Sequence, residues 1–180
     1  SSISCDIDSF IDKAVDGLLL KGRKKIALLS GFHFYPEHVS HFHEKLADAG
    51  LKSRPYWMQA MGIDRYALPW TKNIVNLMMQ DSGGEKPDGL IIANENLLPF
   101  AAEGIALSGL EIGMDIDVVS HANFPLSIPS PAGVSRIGFD SRTLLSSCIE
   151  NITEIRNGRS PGFVRKIQAV CEKDLVADFK

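Results

Sequence analysis

Gly89-Leu90-Ile91-Ile92-Ala93, followed at once by Asn94-Glu95-Asn96, is the stretch that decides the fold of this chain. The run is apolar without alternation, as in a strand covered by helices on both faces, and it stops abruptly at polar residues. Two other runs behave alike. Lys25-Ile26-Ala27-Leu28-Leu29 leads into Ser30-Gly31-Phe32-His33, and Ile116-Asp117-Val118-Val119 leads into Ser120-His121-Ala122-Asn123. Helical patterns long enough to cross over lie between them, so the class is α/β with a mainly parallel, doubly wound sheet. Parallel strands bring such polar tips together along one edge, where their carboxyl ends open into a crevice and helix N-termini point at it. A ligand is expected in that crevice.

Outward from these runs, Ile7, Phe10, Ile11, Ala14, Val15, Leu18 and Leu19 recur at helical spacing, with Asp6 or Asp8 as cap and Gly22 as stop. A second helix carries Val39, Phe42, Leu46 and Ala49 and closes at Gly50, and a short extended piece spans residues 54–58. Residues 59–69 show no period and read as a loop over the sheet edge. Helices are expected over 70–79 and about 96–107, the latter with Pro99 in its first turn, and turn chemistry over 81–88. Three prolines fall within Pro125-Leu126-Ser127-Ile128-Pro129-Ser130-Pro131, too rigid and donor-poor for a central strand or a helix, so this is a connector. Beyond it come a strand from Val134 to Gly138, a helix from Ser141 to Asn157, a break at 158–162 and a last strand from Phe163 to Cys171. The strand at 134–137 is expected to be an apolar edge that needs partner strands from elsewhere.

Composition bounds the function. With 180 residues, 44% hydrophobic and 23% charged, the chain is an ordinary packed protein, and a net charge of −3 gives no footprint for a polyanion. Three widely separated cysteines, Cys5, Cys148 and Cys171, form neither a disulfide framework nor a zinc cage, which fits a reducing cytoplasm. No run approaches the roughly 18 apolar residues of a membrane helix, and the first residues lack a signal peptide's basic start and apolar core. The absence of an initiator methionine is consistent with an excised fragment. No nucleophile elbow, P-loop, dinucleotide fingerprint or HExxH occurs, so neither a cofactor nor catalysis has positive support.

The order of motifs resembles the ligand-binding core of the LacI/GalR family of transcriptional regulators. Gly22-Arg23-Lys24-Lys25-Ile26-Ala27-Leu28-Leu29-Ser30-Gly31 is similar to that family's helix-to-strand step, and Pro87-Asp88-Gly89-Leu90-Ile91-Ile92-Ala93-Asn94-Glu95 to its next strand. Residues 101–112, 114–120 and 134–137, with Leu144 to Ile149, follow in the same order. The resemblance implies a periplasmic-binding-protein type 1-like fold. Residues 1–123 would form the C-terminal lobe, 124–160 cross to the N-terminal lobe and 161–180 return, the DNA-binding domain and most of the N-terminal lobe being absent. It further implies a sugar-like small-molecule effector, DNA contacted through the missing domain, a homodimer and a cytoplasmic location. The family's effector-contacting Arg falls at His38, its sugar-binding Asp at Ala122, and the Asp of its Asn-Asp tip at Glu95. The guanidinium and carboxylate that usually clamp sugar hydroxyls are thus replaced.

The candidate ligand-binding residues are Phe32, His33, His38, Met61, Asn94, Glu95, His121 and Asn123. Glu95 either accepts from a ligand or caps the helix after it, and His121 and Asn123 either reach a ligand or make hinge hydrogen bonds. Phe32, Phe34 and Tyr35 either stack on a ligand or pack their own loop. One of Trp57, Met58, Met61 and Trp70 is expected to wall the crevice. His38 and His41 share one helix face, and with no acidic partner fixed nearby by spacing they read as a solvated face rather than metal ligands. Leu144, Leu145, Cys148, Ile149, Ile152 and Ile155 form an apolar stripe that ordinarily faces a core and, by resemblance, lies near the dimer interface. Two rivals share the scaffold: a periplasmic sugar-binding component of a transporter, and an enzyme using Glu95 and His121.

Overall fold

The computed structural model describes residues 2–32, 35–80, 85–159 and 164–177. Its strands are β1 (Ser2–Cys5), β2 (Ile26–Gly31), β3 (Met58–Met61), β4 (Gly89–Ile92), β5 (Asp117–Phe124), β6 (Ser135–Asp140), β7 (Val164–Ile167) and β8 (Val170–Cys171). The helices are α1 (Ile7–Leu20), α2 (Pro36–Asp48), α3 (Thr71–Met78), α4 (Leu98–Leu107), α5 (Ser141–Arg156) and α6 (Glu172–Ala177). Six strands form one sheet in the order β3-β2-β4-β5-β6-β8, parallel except for β8, and β1 pairs with β7 in a separate two-stranded sheet.

Side-chain alternation assigns each face of the sheet its helices. Ile26, Leu28, Ile91 and Val119 point to a core shared with Phe10, Ile11, Ala14, Val15 and Leu18 of α1 and Phe42 and Leu46 of α2. Ala27, Leu29, Leu90, Ile92 and Val118 point to the opposite core, filled by Val75 and Met78 of α3 and Leu98, Ala101 and Ile105 of α4. Burial on both faces is what removed alternation from the strand sequences. At the end of α1, Gly22 (φ +80°) lets its own N–H reach the Leu19 carbonyl and the Arg23 N–H the Leu18 carbonyl. Asp6 occupies the N-cap position of α1 without a side-chain cap bond; its carboxylate instead takes a hydrogen bond from Gln168 Nε2 at 2.6 Å.

Five expectations are corrected. Residues 58–61, within and beside the span read as a loop, are edge strand β3, whose Met-Gln-Ala-Met lacks the β-branched residues that mark strands. The strand carrying His121 and Asn123 does not stop at Val119, because pairing with β6 continues to Phe124 opposite Asp140. The strand beginning near Val134 is not open along its whole length: β5 pairs with it from Ser135 to Asp140, and on the other side β8 pairs with it at Ile137 and Gly138. Finally, the α5 stripe faces outward, with Leu145 61%, Ile149 65%, Ile152 57% and Ile155 53% exposed. The expected last strand is split between β7 and β8, which belong to different sheets.

Candidate functional site

The chain enters the main sheet at β2, moves to β3 on one side and then to β4 on the other. That reversal leaves a crevice outside the carboxyl ends of β2 and β4. Here lies a cavity of about 200 Å³ lined by Ile7, Phe10 and Ile11 of α1, Ser30 and Gly31 of β2, Ala93, and Tyr35, His38 and Val39 at the start of α2. Its wall is mainly aliphatic and aromatic, with Ser30, Tyr35 and His38 as the residues carrying polar side chains.

The strand tips do converge on this edge. Gly31 is in register with Met61, and the Phe32 N–H donates to the Met61 carbonyl at 2.6 Å. The Ala93 N–H donates to the Leu29 carbonyl, and a Cβ placed on Gly31 would stand 2.9 Å from Asn94 Nδ2 and 3.0 Å from Ile63 Cγ2, so a larger residue there would make these side chains shift. Asn94 Oδ1 accepts from the Asn96 N–H at 3.0 Å, opening the turn over Glu95–Leu97, so the cap is Asn94 and not Glu95.

Glu95 is 7% exposed and does something else. Its carboxylate accepts from Asn123 Nδ2, from the Asn123 N–H at 3.4 Å and from the Ile128 N–H at 3.3 Å. It therefore fastens the β4 tip to the β5 tip and to the proline-rich connector. His121 sits between two phenyl rings, 5.6 Å from Phe10 and 5.8 Å from Phe139 between centroids. Burial holds its pKa below the ordinary 6.5, with the Glu95 charge opposing, so the ring is neutral at neutral pH. Of the candidate residues, His38 lines the cavity, while Glu95, Asn123 and His121 are engaged within the protein. Phe32 is 66% exposed at φ +59°, Met61 packs against the α3/α4 core, and His33 and Phe34 lie outside the described residues.

The histidines of α2 are not a merely solvated face. His38 Nδ1 lies 2.9 Å from Asp8, His41 Nε2 3.0 Å from Asp12, and Lys45 Nζ 2.9 Å from Asp16. Asp8, Asp12 and Asp16 recur every four residues along α1, a row whose meaning appears only when α1 and α2 lie side by side. Among the described residues, no group of three or more His, Cys, Asp or Glu is placed to hold a metal ion. Sequence reasoning missed Ile7, Ile11 and Val39 as cavity lining, since at helical spacing they read as core. No helix among the described residues is long and apolar enough to cross a membrane.

No family model matches the chain, and no curated protein sequence matches it. Solved structures do. A regulatory protein of the LacI family from Chloroflexus aggregans superposes with a TM-score of 0.79 at 17% identity, over 94% of this chain and 60% of that one. A LacI family transcriptional regulator from Arthrobacter sp. FB24, in complex with lactose, gives 0.77 at 15% identity over 94% and 64%. The lac repressor dimer bound to operator and an anti-inducer gives 0.72 at 20% identity over 95% and 51%. The chain spans less than two thirds of each, and over that length it has the fold of these LacI-family regulators.

Proposed function

We propose that this chain is the ligand-sensing part of a LacI-type DNA-binding transcriptional regulator. A small molecule enters the crevice at the carboxyl ends of β2 and β4 and alters operator affinity. The observation that carries this reading is the placement of a cavity at the chain reversal of a sheet whose fold is shared with LacI-family regulators. At about 200 Å³ the cavity is smaller than the roughly 300–1,000 Å³ of a complete ligand pocket, as expected when a second lobe supplies the other wall.

The lobe division belongs to the same proposal: residues 1–123 as the C-terminal lobe, 124–160 crossing to the N-terminal lobe and 161–180 returning. The pairing of β6 into the main sheet supports narrowing the crossing within 124–160 to the part after Asp140, and the separate pairing of β1 with β7 supports placing the two ends of the chain's lobe side by side at the crossing. A ligand touching both lobes favours one lobe arrangement. Within a cytoplasmic homodimer, using the outward stripe of α5, that changes the spacing of operator-reading heads in the part of such regulators this chain does not span. A decisive shift needs a several-kcal/mol preference for one state.

The test is a thermal-shift panel of sugars, sugar acids and nucleobases. One class should raise apparent stability by about 2.7 kcal/mol at a hundredfold excess over its dissociation constant, and His38→Ala should weaken that response. A flat response across the panel up to roughly 10 mM refutes the reading.

A further inference from the structure

A second cavity lies near the opposite end of α1. It measures about 530 Å³, within the range of small-molecule pockets, and is walled by the second half of α1, the start of β6 and the β8–α6 corner. Its floor is apolar, with buried Val119 and Ile137 and half-buried Val134, and the exposed Leu20 stands at its rim. Its charged lining comprises Lys13, Lys21, Arg136 and Lys173 against Asp16 and Glu172.

These charges are not equally engaged. Arg136 is held by Glu172, Asp16 pairs with Lys45 at 2.9 Å, and Lys21 pairs with Asp117 at 2.7 Å. Both acids are thereby matched by cations, while Lys13 and Lys173 form no ion pair among the described residues. Both lysines line the cavity together with Cys171. Burial first, then the Asp174 charge, pushes the Cys171 thiol above its ordinary value, and Lys13 and Lys173 oppose that rise. Lys13 and Lys173 thus line the cavity without an ion-pair partner from its lining, while Asp174 acts on Cys171 from outside that lining.

Gly17 supplies an independent observation. It stands inside α1, where glycine costs roughly 1 kcal/mol relative to alanine. Its φ is not positive, and a Cβ there would meet nothing within 4 Å. Neither backbone geometry nor close packing explains it. What a side chain at position 17 would do is grow into this cavity, whose lining includes Gly17.

We propose that the cavity between α1, β6 and α6 binds a small amphipathic anion, its apolar body on Val119, Val134 and Ile137 and its carboxylate or phosphate between Lys13 and Lys173. This assignment is independent of the sensing role of the crevice. The test is calorimetric titration of the 180-residue protein with octanoate and, as the neutral counterpart of similar shape, 1-octanol. Octanoate is expected to bind at least about tenfold tighter than 1-octanol. Lys13→Glu with Lys173→Glu should remove that difference, and Gly17→Leu should abolish binding of both probes with the helical circular dichroism retained. The two lysines are exposed, so their variant folds even where Gly17→Leu does not. Absence of octanoate binding, equal binding of the two probes, or octanoate affinity unchanged in the lysine variant each overturns the proposal.

Discussion

Replacing Glu95 by Gln changes one atom and no volume, yet the structure makes it an expensive change. The carboxylate is buried and takes three N–H groups, two from Asn123 and one from Ile128. At this burial a discount for solvent screening is small. The bond from Asn123 Nδ2 is charge-assisted and contributes about 2 kcal/mol, while the two backbone bonds, at 3.4 and 3.3 Å, contribute a fraction of that each. A Gln side chain keeps one acceptor and turns an NH₂ toward the remaining donors, so one or more N–H groups lose their partner. The expected loss is about 2 kcal/mol, equivalent to a fall of roughly 4–8 °C in Tm for a chain this long. Urea unfolding followed by circular dichroism, with slopes compared to exclude a change in the unfolded state, reads this directly. A loss below about 0.5 kcal/mol would mean that Glu95 is not a fastener and is free to serve a ligand.

Asp117→Asn should cost about 3 kcal/mol. It leaves Lys21 and Arg23, at 2.7 and 2.6 Å, without a charge partner, and since both cations reach solvent the loss sits at the low end for breaking a buried pair. Burial raises the Asp117 pKa, but the hydrogen bonds and charges of Lys21 and Arg23 outweigh it. The folded value therefore lies below 3.8, and its stabilisation is present above 3.8 and disappears as pH falls through the folded value. Unfolding midpoints of wild type and variant should converge there, and a constant gap down to pH 2 contradicts the pairing. For His121 the folded value is depressed, so the unfolded chain binds the extra proton first. Stability from the neutral ring is complete above 6.5 and declines as pH drops below it. Urea midpoints at pH 7.5 and 5.5 should differ less in His121→Phe than in wild type, and an unchanged difference rules the ring out as the source.

The sheet was legible because burial on both faces leaves a plain mark. Leu90-Ile91-Ile92 cannot alternate when Leu90 and Ile92 meet α3 and α4 while Ile91 meets α1. β3 was not, since an edge strand of Met-Gln-Ala-Met takes its conformation from pairing with Leu28–Gly31 and not from its own propensity. The tips were legible as a place but not as roles. Asn94, Glu95 and Asn123 have the residue types of a ligand-binding rim, yet Asn94 caps its own turn while Glu95 and Asn123 bond each other across two tips, and nothing in one-dimensional spacing tells a ligand from Asn123 as the partner of Glu95. The same holds for His38 and His41, whose partners on α1 lie thirty and twenty-nine positions away.

The proline-rich connector shows how such long-range pairing replaces local structure. Pro125, Pro129 and Pro131 have no N–H to give, so this stretch cannot build a ladder or a helix of its own. The Ser127 hydroxyl and both backbone groups of Ile128 are taken up by side chains from two directions. Glu95 accepts the Ile128 N–H at 3.3 Å, while Arg136 donates to the Ile128 carbonyl at 3.2 Å and to Ser127 Oγ at 2.7 Å. Arg136 is in turn gripped by Glu172 at the start of α6. Ile128 is therefore the point where the β4 tip and the wall of the second cavity meet through hydrogen bonds, each involving a charged side chain. That double hold explains why losing Glu95 should lower stability by a limited amount and not dissolve the connector: Arg136 still grips it from the other side.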